Sequence, residues 1–498
     1  MKRYFIYLPL LLCSLAACRE AVVPTGTTDG PPVIFPDYAG VTVPATIAPL
    51  NFRVESADYA AIHAVIEGSR SGRIEARGGR RAAVSIPPGE WKRLLADNTG
   101  SDLSVTVSLR QPGGWISYRP FAIHVSGYPA DYGLVYRLIP PAYEVYGKMG
   151  IYQRDLSDFT QTALLENTLI PGNCVNCHSF RQGRPEQMSL HIRGPYNATV
   201  LTSDGGVDLY DTKTEQTIAN CVYPYWHPSG GYIAYSVNET RQVFHEQRDK
   251  RIEVVDARSD VVVYDIGKNE LLSCPQITSQ DAFETFPAFS PDGRTLYFCS
   301  AAARVIPEEY DQVRYDLCSI AFDPESGTFG QEVDTLVRAA ATGKSVSFPR
   351  PSYDGRYLMY TLSDYGNFSI WHKEADLWLL DLHAGLTREL TEVNSSDVES
   401  YHSWSSNSRW FVFSSRRTDG LYSRPFLASV DEAGNVSKPF MLPQKDPGMY
   451  DSSLYSFNIP EFVTGRVELD ARIVGRKARS GERIQMKYSS RAVSGRGL

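Results

Sequence analysis

Short runs in which apolar and polar residues alternate dominate the chain, and helical periodicity is scarce. Between residues 35 and 128 the alternation runs through Val41-Thr42-Val43 and Leu103-Ser104-Val105-Thr106-Val107-Ser108-Leu109. A period of two sets one face of each run against a core and the other in water. Gly78-Gly79, Pro87-Pro88-Gly89 and Pro112-Gly113-Gly114 break the runs with turn residues. The pattern predicts a small β-sandwich-like domain over residues 35–128, and Ile139-Pro140-Pro141 marks the exit from it.

Further along, one phrase recurs: an apolar residue, a tight turn, then an alternating run. Trp226-His227-Pro228-Ser229-Gly230 leads into Tyr232-Ile233-Ala234-Tyr235, and Phe289-Ser290-Pro291-Asp292-Gly293 into Thr295-Leu296-Tyr297-Phe298. Ser352-Tyr353-Asp354-Gly355 leads into Tyr357-Leu358-Met359-Tyr360, and Trp404-Ser405-Ser406-Asn407-Ser408 into Trp410-Phe411-Val412-Phe413. The turn positions 230, 293, 355 and 408 lie 63, 62 and 53 residues apart. A weaker copy starts at Cys177-His178-Ser179-Phe180 and continues to residues 188–192. Second strand phrases follow, such as Val261-Val262-Val263-Tyr264 and Leu377-Trp378-Leu379-Leu380. Four strands per unit of this length suit a propeller blade. Residues 151–156 read as an outer strand without an inner one, and residues 455–462 as an inner strand without an outer one. Joined, they make a sixth blade and close the ring, which removes the open sheet edges.

The Ser-Pro-Asp-Gly-Arg strand phrase resembles the WD-repeat-like blades of TolB-type six-bladed β-propellers, and the resemblance covers residues 145–465. The expected fold class is all-β: a small N-terminal β-sandwich-like domain followed by a six-bladed β-propeller. Such propellers also form the front half of prolyl-oligopeptidase-type peptidases. Those need a nucleophile elbow, and no G-x-S-x-G occurs here. Only 33 residues follow Gly465, too few for a hydrolase domain. Gly343-Lys344-Ser345 imitates the end of a P-loop, but Arg338 stands where its first glycine belongs.

Composition agrees with a packed β protein: 42% hydrophobic and 12% aromatic residues, with 30 Tyr, 38 Gly and 31 Pro. The net charge of −7 argues against nucleic acid as a partner. No apolar run reaches 18 residues, which excludes a multi-span helical membrane protein. The N-terminus reads as an address. Lys2 and Arg3 precede an apolar stretch over residues 4–12, and Leu15-Ala16-Ala17-Cys18 follows. This resembles the bacterial lipoprotein signal, which implies lipidation of Cys18 after removal of residues 1–17; an ordinary signal peptide with an accidental cysteine is the other reading. Removal of residues 1–17 takes the net charge from −7 to −9, because Lys2 and Arg3 leave. Arg19 stands where an aspartate would signal inner-membrane retention, so the expected place is the outer membrane of a Gram-negative envelope. Residues 18–34 would be a tether, and residues 466–498, with nine Lys/Arg against three acids, a basic disordered tail.

Cys174-Val175-Asn176-Cys177-His178 is C-x-x-C-H and resembles a c-type cytochrome site. The resemblance implies that Cys174 and Cys177 hold haem c by thioether bonds and that His178 ligates its iron. Met188 and His191 are the nearest distal candidates, and Met149 lies upstream. Two other readings stand beside it. The cysteines would form a local disulfide, with His178 at the turn position that His227 holds later; or they would ligate zinc, although no second C-x-x-C follows. Further polar clusters at residues 244–246, 371–376, 399–402 and 416–419 would gather on one propeller face, where partners bind. The sequence thus implies a lipid-anchored envelope propeller, a binding scaffold for a protein or glycan, with one covalent haem for electron transfer. The alternative is a non-catalytic interaction module with a disulfide at the C-x-x-C pair.

Overall fold

The computed structural model describes residues 22–55, 59–80, 83–140, 147–203, 205–247 and 252–489; Cys18 and the segment before it lie outside these. Six antiparallel sheets form the blades of a closed propeller. Blade 1 combines Ser456–Val463, Gly133–Ile139, Gly150–Asp155 and Gln161–Glu166, from the inside outward. The inner strands of blades 2 to 6 are Cys174–Phe180, Cys221–Trp226, Ala282–Phe289, Ser345–Pro351 and Glu399–Trp404. Blade 1 joins both ends of the ring as the sequence implied for its closing blade, but through one more strand. Gly133–Ile139, ahead of residue 145, pairs with both fragments: Leu134 lies opposite Phe462 on one side and Arg154 on the other. Residues 157–168, which are helix-compatible in sequence, supply the strand Gln161–Glu166 and a short 3-10 turn, Asn167–Leu169.

The recurring phrase has a physical cause. In Ser290-Pro291-Asp292-Gly293 the Ser290 hydroxyl donates to Asp292 at 2.5 Å and accepts the Thr295 N–H at 3.0 Å. Ser352 and Asp354 repeat the first bond at 2.7 Å, as do Ser405 and Asn407. The turn closes in the left-handed region, at Gly230 (φ 78°), Gly293 (74°), Gly355 (75°) and Ser408 (58°). At Gly293 a Cβ would also meet the His227 Nε2 at 2.1 Å, so glycine is required there twice over.

A second repeat was invisible in the spacing of turns. Every inner strand carries one non-glycine residue in the left-handed region: Cys177 (φ 51°), Tyr223 (51°), Phe286 (50°), Phe348 (52°), Tyr401 (53°) and Ile459 (52°). In each blade the ladder register shifts at that point, the mark of a β-bulge. The bulge turns these side chains inward, where they plug the channel. Phe286 and Phe348 stack at 4.0 Å, Tyr223 meets Phe286 edge-on at 4.9 Å, and Tyr401 meets Phe348 at 5.0 Å.

The N-terminal region, expected to be sandwich-like, holds a mixed seven-stranded sheet, a separate two-stranded pairing of Ile34–Phe35 with Arg53–Val54, and a helix. The strands run in the order Pro24–Thr27, Gly114–Ser117, Ser101–Gln111, Ala61–Gly68, Arg73–Gly79, with Phe121–Ser126 and Thr42–Pro44 attached. The helix Pro88–Asp97 buries Trp91, Leu94 and Leu95. Pro87-Pro88-Gly89 reads as a turn, yet proline at a first helical position is pre-set for a helix, and 91, 94 and 95 share one face. Residues of the expected tether also join this sheet, through Gly26 opposite Ile116. The N-terminal region rests on blade 6: Trp410 Nε1 donates to the Tyr128 carbonyl at 3.3 Å, and Ser406 to Asp131 at 2.5 Å.

The basic tail is folded up to residue 489. Asp470 caps the helix Ala471–Ser480 by accepting the Arg472 and Ile473 N–H groups, and Val474 and Ala478 are fully buried. Ile484–Gln485 and Lys487–Tyr488 then add parallel strands to the rims of blades 2 and 3. Two of its cations bond rim carbonyls: Lys477 donates to the Val207 carbonyl at 2.9 Å and Arg483 to that of Asn197 at 2.7 Å. Counting charge alone missed this, because cations that satisfy rim carbonyls act through their donors.

Candidate functional site

The C-x-x-C-H residues lie on the inner strand of blade 2, with the bulge between the second cysteine and the histidine. Cys177-His178 therefore matches Tyr223-Pro224, Phe286-Pro287, Phe348-Pro349, Tyr401-His402 and Ile459-Pro460 of the other blades. The position of His227, to which the sequence had matched His178, corresponds instead to Arg181, just past the strand. The three side chains separate. Cys174 packs in the apolar seam between blades 1 and 2 with Val135, Ile151 and Leu165. Cys177 belongs to the central plug, where Tyr223 and Tyr401 flank its thiol and burial raises its pKa. His178 is 3% exposed and faces a pocket at the end of the channel.

This placement bears on each of the sequence readings. Both cysteines are free thiols in this structure. A haem held at Cys174, Cys177 and His178 needs all three on one cavity, and a seam, a plug and a pocket do not provide one. The residues do not fit the group. The distal candidates lie elsewhere too: Met188 and Met149 are buried in the seam, and His191 Nδ1 lies 3.2 Å from the Thr199 hydroxyl. Burial lowers the His191 pKa to about 3. Among the described residues no group of three or more His, Cys, Asp or Glu is arranged to hold a metal ion.

The polar clusters divide between the two ends of the channel. Where the inner strands begin, several of them pair within and between blades. Tyr365 donates to Glu253 at 2.6 Å, His372 Nδ1 lies 3.2 Å from Glu374, and Arg417 pairs with the fully buried Glu399 at 2.8 Å. Asp256 receives Asn238, Thr240 and Asn367, and burial still raises its pKa to about 6.

Where the strands end, blades 1, 2, 3, 5 and 6 line a pocket of about 50 Å³. Arg350, Glu461, His178 and His402 face it, between the rings of Tyr225, Tyr353 and Trp404. Arg350 extends over the Tyr225 ring, 5.3 Å from its centre, and donates from Nη1 to the Pro349 carbonyl at 2.9 Å. Glu461 accepts the Phe180 N–H at 3.0 Å, and withdrawal from water pushes its pKa up to about 8. Neither ring nitrogen of His178 has a hydrogen-bond partner; the backbone of Val135 and Ile459 lies near but out of good geometry. Burial lowers its pKa to about 4, and that of His402, which uses Nε2 on the Met359 carbonyl at 3.1 Å, to about 3. Of these, the sequence had singled out His178 and, within a loop cluster, His402. Arg350 and Glu461 were missed: each stands next to the proline of its bulge, and that repeat was their signal.

No family model matches the chain, and no curated protein matches it. Solved structures resemble it at low identity. A puromycin-hydrolysing peptidase of Mycobacterium tuberculosis is 12% identical over 70% of this chain and 52% of that one, with a TM-score of 0.36. The tricorn protease is 11% identical over 79% and 43%, with a TM-score of 0.31. A DUF4784 family protein of Bacteroides caccae ATCC 43185 is 10% identical over 72% and 95%, with a TM-score of 0.29. The chain thus spans about half the length of the two peptidases, and the likeness is one of fold alone.

Proposed function

We propose that this chain is a non-enzymatic binding module of the cell envelope, a TolB-like propeller held to the outer membrane by lipid on Cys18. Its partner, a protein or a glycan, docks at the end of the channel where the inner strands finish. One observation carries the reading. At that end charged and aromatic side chains face a shared pocket in which Arg350 makes one hydrogen bond and neither ring nitrogen of His178 has a partner. A fold that must bury polar groups leaves few of them unsatisfied without a use. The signal-like N-terminus supports the envelope location, and the closed ring supports a rigid platform.

The test uses a photo-crosslinking amino acid in place of Tyr353 at the pocket, or of Leu386, which is 69% exposed on an outer strand. Irradiated cells should yield a discrete adduct from position 353 and none from 386. Equal labelling from both would sink the docking site. Cys18→Ser should release the protein from the membrane fraction; retention there would sink the lipid anchor.

A further inference from the structure

Arg350 is a partly buried guanidinium with one hydrogen bond, and among the described residues no carboxylate lies within 4.0 Å of it. Most of its N–H donors therefore remain unspent, and a guanidinium's planar fork matches a carboxylate in two parallel bonds. His178 adds a second anomaly. Its ring is buried with both nitrogens unpartnered, a cost of about 1–3 kcal/mol for each unsatisfied group. Glu461 shares the pocket without pairing with Arg350. We propose that this pocket is a carboxylate-binding site, in which Arg350 pairs with the anion and His178 supplies a second donor. The proposal rests on the reading that the propeller docks its partner here.

The charge balance selects the ligand class. Glu461 keeps its proton to about pH 8, and burial holds His178 and His402 neutral. At neutral pH the pocket then offers one cation, Arg350, beside neutral polar groups, including the Tyr225 and Tyr353 hydroxyls. A monoanion balances it. A phosphate dianion leaves one charge uncompensated in a site that already disfavours ionised Glu461. The protonated Glu461 can donate to the anion instead of repelling it. The rings of Tyr225, Tyr353 and Trp404 supply flat surfaces for the body of the ligand. Carboxylates of this kind occur on acidic sugars and at peptide C-termini.

The experiment titrates the full chain with glucuronate, glucose, dialanine and dialanine amide, following tryptophan fluorescence, since Trp226 and Trp404 line the pocket. Glucuronate or dialanine should bind saturably at pH 7 while its uncharged counterpart does not. The carboxylate that binds identifies the source as acidic sugar or peptide end. Arg350→Met should weaken binding at least tenfold, and Arg350→Lys, which keeps charge without the fork, should fall between; thermal melts show whether each variant is folded. Three results overturn the proposal: an uncharged probe binding as tightly as its acid, Arg350→Lys binding like the parent, or no saturation with any probe. Binding of glucose alone would overturn the carboxylate while leaving the docking site intact. Absence of a crosslink from position 353 would remove the docking site itself.

Discussion

His178 and His402 are counterparts: each directly follows the left-handed residue of an inner-strand bulge, where the other four blades carry Pro224, Pro287, Pro349 and Pro460. Both histidines are buried and neutral. The histidine of the C-x-x-C-H string thus stands at a structural position that proline normally fills.

Proline at 178 should therefore be accepted. His178→Pro removes two unpartnered nitrogens and restricts the unfolded chain, so stability should be unchanged or higher by up to about 1 kcal/mol. Denaturant unfolding measures it. A loss above about 1 kcal/mol would show that the imidazole holds the bulge together.

Covalent haem is the sharpest point of contrast between the motif and the fold. Produced in a host that attaches c-type haem, the denatured protein should show no haem stain while a control cytochrome is loaded. A stain near one haem per chain, lost in Cys174→Ala, would mean that the strand Cys174–Phe180 takes another conformation in the mature protein.

Arg424 ties down the segment that leads into the closing strand. Its side chain is buried, donates to the carbonyls of Tyr450 (2.7 Å), Ser453 (3.1 Å) and Tyr455 (2.8 Å), and lies 3.7 Å from Asp419. These bonds lead the chain into the closing strand Ser456–Val463. Arg424→Met should cost about 3–5 kcal/mol, since several buried acceptors lose their donor together. Equilibrium unfolding checks this, and a cost below about 1 kcal/mol would relocate the closure to strand pairing alone.

Stability should depend on pH in two opposite ways. His178, His191 and His402 have folded pKa values of about 4, 3 and 3, below the usual 6.5. The unfolded chain binds more protons, so their contribution is present above about pH 6.5 and is lost as pH falls toward 3. Glu461 has the reverse sign: its folded pKa of about 8 exceeds the usual 4.5, so its contribution is present below about 4.5 and is lost as pH rises through 8. Arg350 of blade 5, Tyr225 of blade 3 and Tyr353 face it, and only the first is charged in that range. Glu461→Gln should flatten the decline between pH 5 and 8 while leaving the acid limb. An unchanged alkaline limb would show that another group controls it.

Much of the ring was legible because its turns are made by local chemistry. Ser290, Asp292 and Gly293 close a turn within four residues, so their repetition marks every later blade. The bulge is set by a few residues too, but its conformation is not tied to one residue type. Cys, Tyr, Phe and Ile all adopt it, and its second residue is proline in four blades and histidine in two. That variety hid Arg350 and Glu461, and let Cys177-His178 read as the end of a haem motif. The helix Pro88–Asp97 and the tail were hidden differently: proline and charge read as breakers when the tertiary contacts of Trp91, Val474 and Lys477 decided the outcome.

Blade 1 has a consequence for how this molecule is made. Leu134 pairs with Phe462, and the rims of blades 2 and 3 wait for residues 484–488. Nearly the whole chain must therefore emerge from the ribosome before the ring can shut. Until then Gly133–Ile139 has no inner neighbour, and its ladder is open to any other strand. Such long-range pairing is slow and exposes intermediates to aggregation. The incomplete ring is thus the stage at which a holding chaperone has the most to protect, and the last strand to arrive ends the need for it.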